Sequence, residues 1–368
     1  MNNTDQTLPI FREYPGLGER LPRIPLGAFP TPVRKLECLD CDNLWVKRDD
    51  LSAAAYGGNK VRKLEFILGE AKRLGKRDVV TIGGIGTNHG LATAIYCKKL
   101  GIKCTLLLFE QPVTSYVKRN LLLYRYFGAR TIFTGSLPKT VLAYFLTHRL
   151  FHPAAHYVFA GGSDVYGTVG FVNAAFELRR QVEEGLMPEP TLIVCPLGSN
   201  GTLAGLALGV RLAGLRARVT GVRVTAPYLG PIPASTPGAV SNLMAQTLRF
   251  LRRADSGVPA VSVEAPEVLD DYFGDGYGCP TAACCEAIDI MKIKEGLDLE
   301  PTYTGKTFAA VVDMVRQSRT RDEVVLYWHT YNSADLSREA ASVDYHDLPA
   351  EFHRFFEMPE VPVPVCHD

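Results

Sequence analysis

The chain has 368 residues, 46% of them hydrophobic and 21% charged, a globular composition with apolar mass for one large core or two moderate ones. Lys and Arg total 40 against 39 Asp and Glu, so a formal charge of +1 gives no electrostatic case for a nucleic-acid or membrane-surface partner. No apolar run approaches the ~18 residues of a membrane span, Met1–Pro15 has no apolar signal-like stretch, and the nine cysteines are irregularly spaced, so reduced thiols in the cytoplasm are expected.

Short β-branched runs alternate with longer helical patterns along the chain. The pattern predicts strands at Leu44–Lys47, Asp78–Ile82, Cys104–Phe109, Arg130–Phe133, His156–Phe159, Thr191–Cys195, Arg218–Thr225 and Glu323–Trp328. Between them it predicts helices at Asn59–Leu74, Gly90–Leu100, Val117–Phe127, Pro138–Leu150, Thr168–Glu184, Thr202–Ala213 and Thr281–Lys294. Six of these stop at a glycine suited to a left-handed C-cap: Gly75, Gly101, Gly128, Gly185, Gly214 and Gly296. Such alternation argues for an α/β protein with open, twisted, mostly parallel sheets carrying helices on both faces. Pro227–Gly238 reads as a surface connection, and the residues after Leu336 read as an extra tail.

Ligands of such sheets bind where loops leave the carboxyl ends of strands, and glycine-rich stretches fall there. Gly57-Gly58-Asn59-Lys60-Val61-Arg62-Lys63 opens a helix, where the positive end of the dipole favours a neutral amine able to attack an aldehyde and the glycines let the backbone come close to a planar ligand. The plain alternative is that Lys60, Arg62 and Lys63 are solvated helix residues. Gly198-Ser199-Asn200-Gly201-Thr202 lies between an apolar strand and a helix, a place for an anion cradle of backbone N–H groups and hydroxyls. It lacks the P-loop lysine and the third glycine of a dinucleotide fingerprint, which favours the phosphate of a small cofactor over a nucleotide. Gly83–Gly90 offers the Thr87 hydroxyl, the Asn88 amide and the His89 imidazole at one carboxylate-sized spot, unless Thr87 or Asn88 merely caps the helix.

In this order the three motifs resemble the family of aminocyclopropane-carboxylate deaminase and D-cysteine desulfhydrase, pyridoxal-phosphate enzymes of the tryptophan-synthase-β type. Asp275-Gly276-Tyr277-Gly278 and Pro301-Thr302-Tyr303-Thr304-Gly305-Lys306 carry the resemblance toward the C-terminus, so it spans about Thr31 to Asn332. It implies a discontinuous large domain of residues 1–62 plus 173–368, a small domain of residues 63–172, and a homodimer. Lys60 would carry pyridoxal 5'-phosphate covalently and move a substrate proton. Gly198, Ser199, Asn200, Gly201 and Thr202 would hold the phosphate with help from Lys63, and Asn88 the cofactor's phenolic oxygen. Thr87, Asn88 and His89 would receive the carboxylate of a small amino-acid substrate. Tyr277 and Tyr303 would serve the leaving group, and Thr304 would face the pyridine nitrogen. Thr304 and Thr330 match the desulfhydrase pattern, where the deaminase pattern has glutamate and leucine.

These matches favour β-elimination giving a 2-oxo acid and ammonia over ring-opening deamination. A β-replacement synthase and a cofactor-binding protein without turnover are the alternatives. Thr87 stands where the family has serine, Asn200 where it has glycine, and Tyr331-Asn332 where both relatives have two glycines. The last change predicts a smaller pocket or a more polar substrate, unless Tyr331 turns to solvent. Cys38 and Cys41 lack a second pair at metal spacing, and Pro153 interrupts the run His148, His152, His156, so no metal site is expected.

Overall fold

The computed structural model describes residues 7–148, 150, 152–229 and 232–361. Its strands are β1 (Val33–Lys35), β2 (Leu44–Arg48), β3 (Asp78–Gly84), β4 (Lys103–Phe109), β5 (Arg130–Gly135), β6 (His156–Val158), β7 (Leu192–Leu197), β8 (Arg218–Arg223), β9 (Tyr228–Leu229), β10 (Ile232–Pro233), β11 (Glu267–Leu269) and β12 (Val325–His329). One sheet runs β5-β4-β3-β6 and a larger one runs β1-β2-β12-β7-β8-β11, with β9 and β10 a separate two-stranded ladder. Every pairing in the smaller sheet is parallel. In the larger sheet only β1 runs antiparallel to its neighbour. The sequence pattern predicts helix-covered, mostly parallel sheets, and the structure has two of them.

The central strands are buried on both faces, and their alternate residues enter different cores. Leu326 and Trp328 of β12, with Ile193, Cys195 and Leu197 of β7, pack on the side of helices Val165–Glu183 and Gly201–Leu212. Val325 and Tyr327, with Leu192 and Val194, pack on the side of helices Ala282–Glu295 and Thr304–Arg316. Thr87, Thr114 and Thr281 cap their helices by accepting a hydrogen bond from the backbone N–H three residues on. All six predicted stop glycines have φ between 66° and 75°. No atom lies within 4 Å of the Cβ that each lacks, so the left-handed backbone alone selects glycine there.

Several elements differ from the sequence reading. Helix Pro237–Ala254 replaces part of the expected surface connection: Thr236 caps it, Pro237 starts it, and Val240, Leu243, Met244, Leu248 and Leu251 form its buried stripe. The predicted helix Pro138–Leu150 is a short α-helix, Leu137–Leu142, followed by a π-helical turn, Ala143–His148. The C-terminal stretch is no appendage. Leu336, Ala340, Leu348, Phe352 and Phe355 join the core of the smaller sheet, and Phe133 of β5 packs edge-on against Phe352 and Phe355. Among the described residues, no helix is long and apolar enough to cross a membrane.

Candidate active site

A cavity of about 380 Å³ opens where β3, β7 and β12 end, bordered by Gly83 and Gly84, by Pro196 and Gly198 through Asn200, and by Thr330 through Asn332. Its size suits a cofactor with a small substrate. Pro233 and Ala234 also line it, so the supposed surface connection forms part of the wall.

Lys60 reaches this cavity at the start of helix Asn59–Arg73. Two glycines make that possible. A Cβ on Gly57 would overlap Asp50 O, and Gly58 has φ 88° with its missing Cβ only 2.7 Å from Thr330 O. The helix start therefore lies directly on the strand-end backbone, with Asn59 N donating to Thr330 O at 3.1 Å. Burial pushes the Lys60 amine down to about 8, against a weaker upward pull from Glu300.

Arg62 and Lys63 are buried, so the solvated-helix alternative fails. Arg62 pairs with Asp49 at 2.7 Å and Glu177 at 2.9 Å. Lys47 joins Glu177 at 2.6 Å, and Trp328 Nε1 donates to Asp49 at 2.7 Å. Burial would raise the Glu177 carboxyl, but Arg62 and Lys47 outweigh it and hold it at about 2. Removing one partner of such a buried network costs about 3–5 kcal/mol, so it fixes the Lys60 helix firmly to β2 and β12.

The glycine-rich turn after β7 forms a lattice of small hydroxyls. Ser163 Oγ donates to Ser199 Oγ at 2.9 Å and accepts from Gly201 N at 3.1 Å, while Asn59 Nδ2 donates to Thr202 Oγ1 at 3.1 Å. Asn200 takes φ 66°, the left-handed angle expected of its replacement for glycine, and its amide donates to Ala234 O at 2.6 Å. Lys63 does not line the cavity. Its amine lies behind the turn on Gly161 O at 3.1 Å and Ser163 Oγ at 3.4 Å, 3.0 Å from the Cβ that Gly201 lacks. Gly161 and Ser163, absent from the sequence reading, bring the segment after β6 against this turn. Serine and glycine alone gave no signal of that.

Thr87, Asn88 and His89 all line the cavity. Thr87 Oγ1 caps the helix by accepting from Gly90 N at 3.2 Å, the bland role foreseen for it. Asn120 Nδ2 donates to Asn88 Oδ1 at 3.2 Å and so leaves the Asn88 amide nitrogen for the cavity. His89 Nε2 contacts Thr81 Oγ1 at 3.0 Å on β3, and burial, then Lys60 and Lys63, push the imidazole well below its usual range. The ring is thus neutral, and any carboxylate at this corner meets backbone N–H groups of the helix start rather than a histidine cation.

Across the cavity the Tyr277 and Tyr303 hydroxyls share a hydrogen bond of 2.6 Å. Burial pushes Tyr277 up to about 12 and Tyr303 well above its usual value, so both remain phenols. Thr304 is outside the lining. Its hydroxyl accepts from Glu300 N at 2.8 Å, deep under the helix start. The cavity instead meets Glu300, which accepts from the backbone N–H groups of Thr302, Tyr303 and Thr304 at 2.8–2.9 Å, and Thr330. Thr330 makes no side-chain hydrogen bond among the described residues. Tyr331 is 9% exposed and lines the cavity, so it does not turn to solvent. Tyr56, another phenol of the lining, carried no motif that could have singled it out.

The family profile described as "Pyridoxal-phosphate dependent enzyme" matches residues 24–330. The chain belongs to that family. Among its relatives is the D-cysteine desulfhydrase of Klebsiella pneumoniae (strain 342), 34% identical over 324 residues, 84% of this chain and 94% of the relative. That of Serratia proteamaculans (strain 568) is 33% identical with the same coverage. A crystal structure of an ACC deaminase homologue is 28% identical, with a TM-score of 0.74 over 93% of this chain and 99% of that one. A T.th. threonine deaminase, 17% identical with a TM-score of 0.60 over 89% of this chain and 98% of that one, shares the fold. The residues present suit the family's cofactor: a buried amine held near 8 and a hydroxyl-rich turn with positive φ at Asn200 face the same cavity.

Cys38 packs its sulfur 4.0 Å from Met291 Sδ. Among the described residues no cluster of His, Cys, Asp and Glu could hold a metal; the His148 side chain lies outside them.

Proposed function

We propose that this pyridoxal-phosphate enzyme is a lyase that β-eliminates a small amino acid in the manner of a D-cysteine desulfhydrase, releasing a 2-oxo acid and ammonia. One observation carries the reading: the Lys60 amine, the hydroxyl-rich turn and the Tyr277–Tyr303 phenol pair converge on one cavity. The cofactor, when bound, supplies an electron sink for negative charge at the substrate Cα.

The residue roles follow from donors and acceptors. Gly198, Ser199, Asn200 and Thr202 hold the phosphate by backbone N–H groups and hydroxyls, with the Lys63 amine behind them, while Gly201 lies outside the lining with its N–H on Ser163 Oγ. Asn88 gives its free amide hydrogen to the cofactor's phenolic oxygen. The first backbone N–H groups of helix Asn88–Leu100 receive the substrate carboxylate beside Thr87. Lys60, half neutral at about pH 8 and increasingly so above it, takes the Cα proton. One proton of the phenol pair lies between the two oxygens, which leaves a single O–H to protonate the departing group. Thr330, not Thr304, supplies the hydroxyl open to the ring nitrogen, and a neutral hydroxyl suits loss of a good leaving group. The two sheets support a division into residues 1–62 plus 173–368 and residues 63–172, with 336–356 packed on the smaller unit. The resemblance to the family supports a homodimer, and free cysteines support a cytoplasmic setting.

Purified holoenzyme incubated with D-cysteine, other β-substituted alanines and aminocyclopropane-carboxylate tests this. At least one β-substituted alanine should yield pyruvate, ammonia and the departing group in equal amounts. Release of 2-oxobutanoate from aminocyclopropane-carboxylate, with no turnover of any β-substituted alanine, contradicts it.

A further inference from the structure

Arg119, beside the cavity, makes no ion pair among the described residues, although the Asp335 carboxylate feels its charge. Its Nη2 donates to the Tyr331 hydroxyl at 2.9 Å, and its guanidinium lies 5.2 Å from the centre of the Tyr116 ring. Its Nε is buried with no hydrogen-bond partner, and no carboxylate among the described residues forms an ion pair with it. The Tyr331 hydroxyl and the Tyr116 ring replace only part of the hydration that this partly buried guanidinium has lost.

The arrangement also orients the groups in front of it. The Tyr331 oxygen already accepts from Arg119, so its own proton is the one left to give, and its ring is held edge-on by Tyr116 at 6.4 Å. Asn332 spends Oδ1 on its own turn, accepting from Ala334 N at 2.9 Å. Its Nδ2 has no partner among the described residues, and the residue borders the cavity. A phenol O–H and an amide N–H, backed by a positive charge, thus make one wall donor-rich. This wall comes from the loop after β12 and helix Ser115–Tyr126. The carboxylate corner at Thr87–His89 comes from the loop after β3. The two adjoin each other, since Asn120, next to Arg119, donates to Gly86 O at 2.9 Å and to Asn88 Oδ1 at 3.2 Å, so one small molecule can reach both.

We infer that Tyr331, Asn332 and Arg119 form a subsite for the end of the substrate side chain, and that the preferred substrates are small amino acids whose β-substituent ends in an anion or a strong hydrogen-bond acceptor. This rests on the lyase reading and specifies its substrate class. A thiol is a weak donor and weak acceptor and uses neither group of the wall; an oxyanion uses both. The reaction keeps its balance. The Cα–H is lost as a proton, the Cβ–X bond breaks with its electron pair on X, and water replaces the nitrogen. A substrate X–CH2–CH(NH3+)–COO− and one water give pyruvate, ammonium, X− and a proton.

Aspartate and alanine, which lack a leaving group at Cβ, serve as probes that bind without eliminating. Both enantiomers are titrated into the holoenzyme and followed by calorimetry and by the cofactor's absorbance. The better-bound aspartate enantiomer should exceed the corresponding alanine by at least about tenfold in affinity, the scale of a satisfied polar subsite. Arg119→Met should cut that advantage to within about twofold, Tyr331→Phe should reduce it, and Arg119→Lys, which keeps the charge, should retain part of it. Equal affinities in the unaltered enzyme, or an aspartate advantage untouched by Arg119→Met, overturn the inference while leaving the lyase reading intact. No spectral response to either amino acid, together with no 2-oxo acid from any β-substituted alanine, overturns both.

Discussion

At Lys60 a local motif and a long-range environment combine to make one amine reactive. Burial holds it at about 8 rather than in the usual lysine range, so its neutral fraction rises as pH climbs through that value. The rate at which cofactor-free protein captures pyridoxal phosphate should therefore rise about fivefold from pH 7 to 8 and level off above about pH 9. A rate that keeps climbing about tenfold per pH unit through pH 9 would mean an ordinary lysine. Lys60, Asn88, Tyr277 and Tyr303 were legible because each sits in a short motif, and the left-handed Asn200 was legible from its residue type alone. Glu300, Arg119, Ser163 and Tyr56 were not, because their roles exist only through partners far along the chain. Arg119 and Tyr331 stand 212 positions apart. Thr304 was misplaced for a related reason: the motif position is right, but the hydroxyl is spent on the backbone of Glu300.

Helix Thr304–Arg316 shows how an element can position a catalytic group without touching substrate. Glu300 collects the N–H groups at its start, and two residues further on Lys306 sends its amine to Phe273 O at 2.6 Å and Gly276 O at 3.1 Å. The loop it grips contains Gly274, Gly276 and Gly278 at φ 65°, 155° and 79°, backbone that wanders freely in the absence of an anchor, and it carries Tyr277. Lys306→Met should free this loop, taking from the half-buried Phe273 O its amine partner and leaving Gly276 O only its bond from Cys279 N, at a cost of about 1–3 kcal/mol. Amide hydrogen exchange at 273–278 should quicken, and kcat should fall by about tenfold to a hundredfold, as expected when a proton donor moves by about 1 Å. Unchanged exchange with unchanged kcat would make Lys306 a mere core residue. The sequence reading saw this stretch only as a site motif, which hid the helix behind it. Helix Pro237–Ala254 was hidden by the proline-rich run before it, although its cap and apolar stripe were both present.

Over the whole molecule, strand–helix alternation was enough to predict mostly parallel sheets, though not their number, because burial on both faces dictates near-continuous apolar strands such as β7 and β12. It could not predict how the chain closes. The residues after Leu336 lack periodicity, yet five apolar side chains spread from Leu336 to Phe355 insert into the smaller sheet's core. Nor could it predict the buried Arg62–Asp49–Glu177–Lys47 network, assembled from β2, its following turn and two helices, that fastens the Lys60 helix beneath the cavity. The central claim of the account is that this assembly presents Lys60 as the one amine that carries the cofactor. Reduction of the holoenzyme with borohydride, followed by digestion and mass mapping, measures it directly. The account predicts a pyridoxyl group on the peptide containing Lys60 and on no other. A label on Lys63 or any other lysine, or a holoenzyme that takes no label, would contradict it.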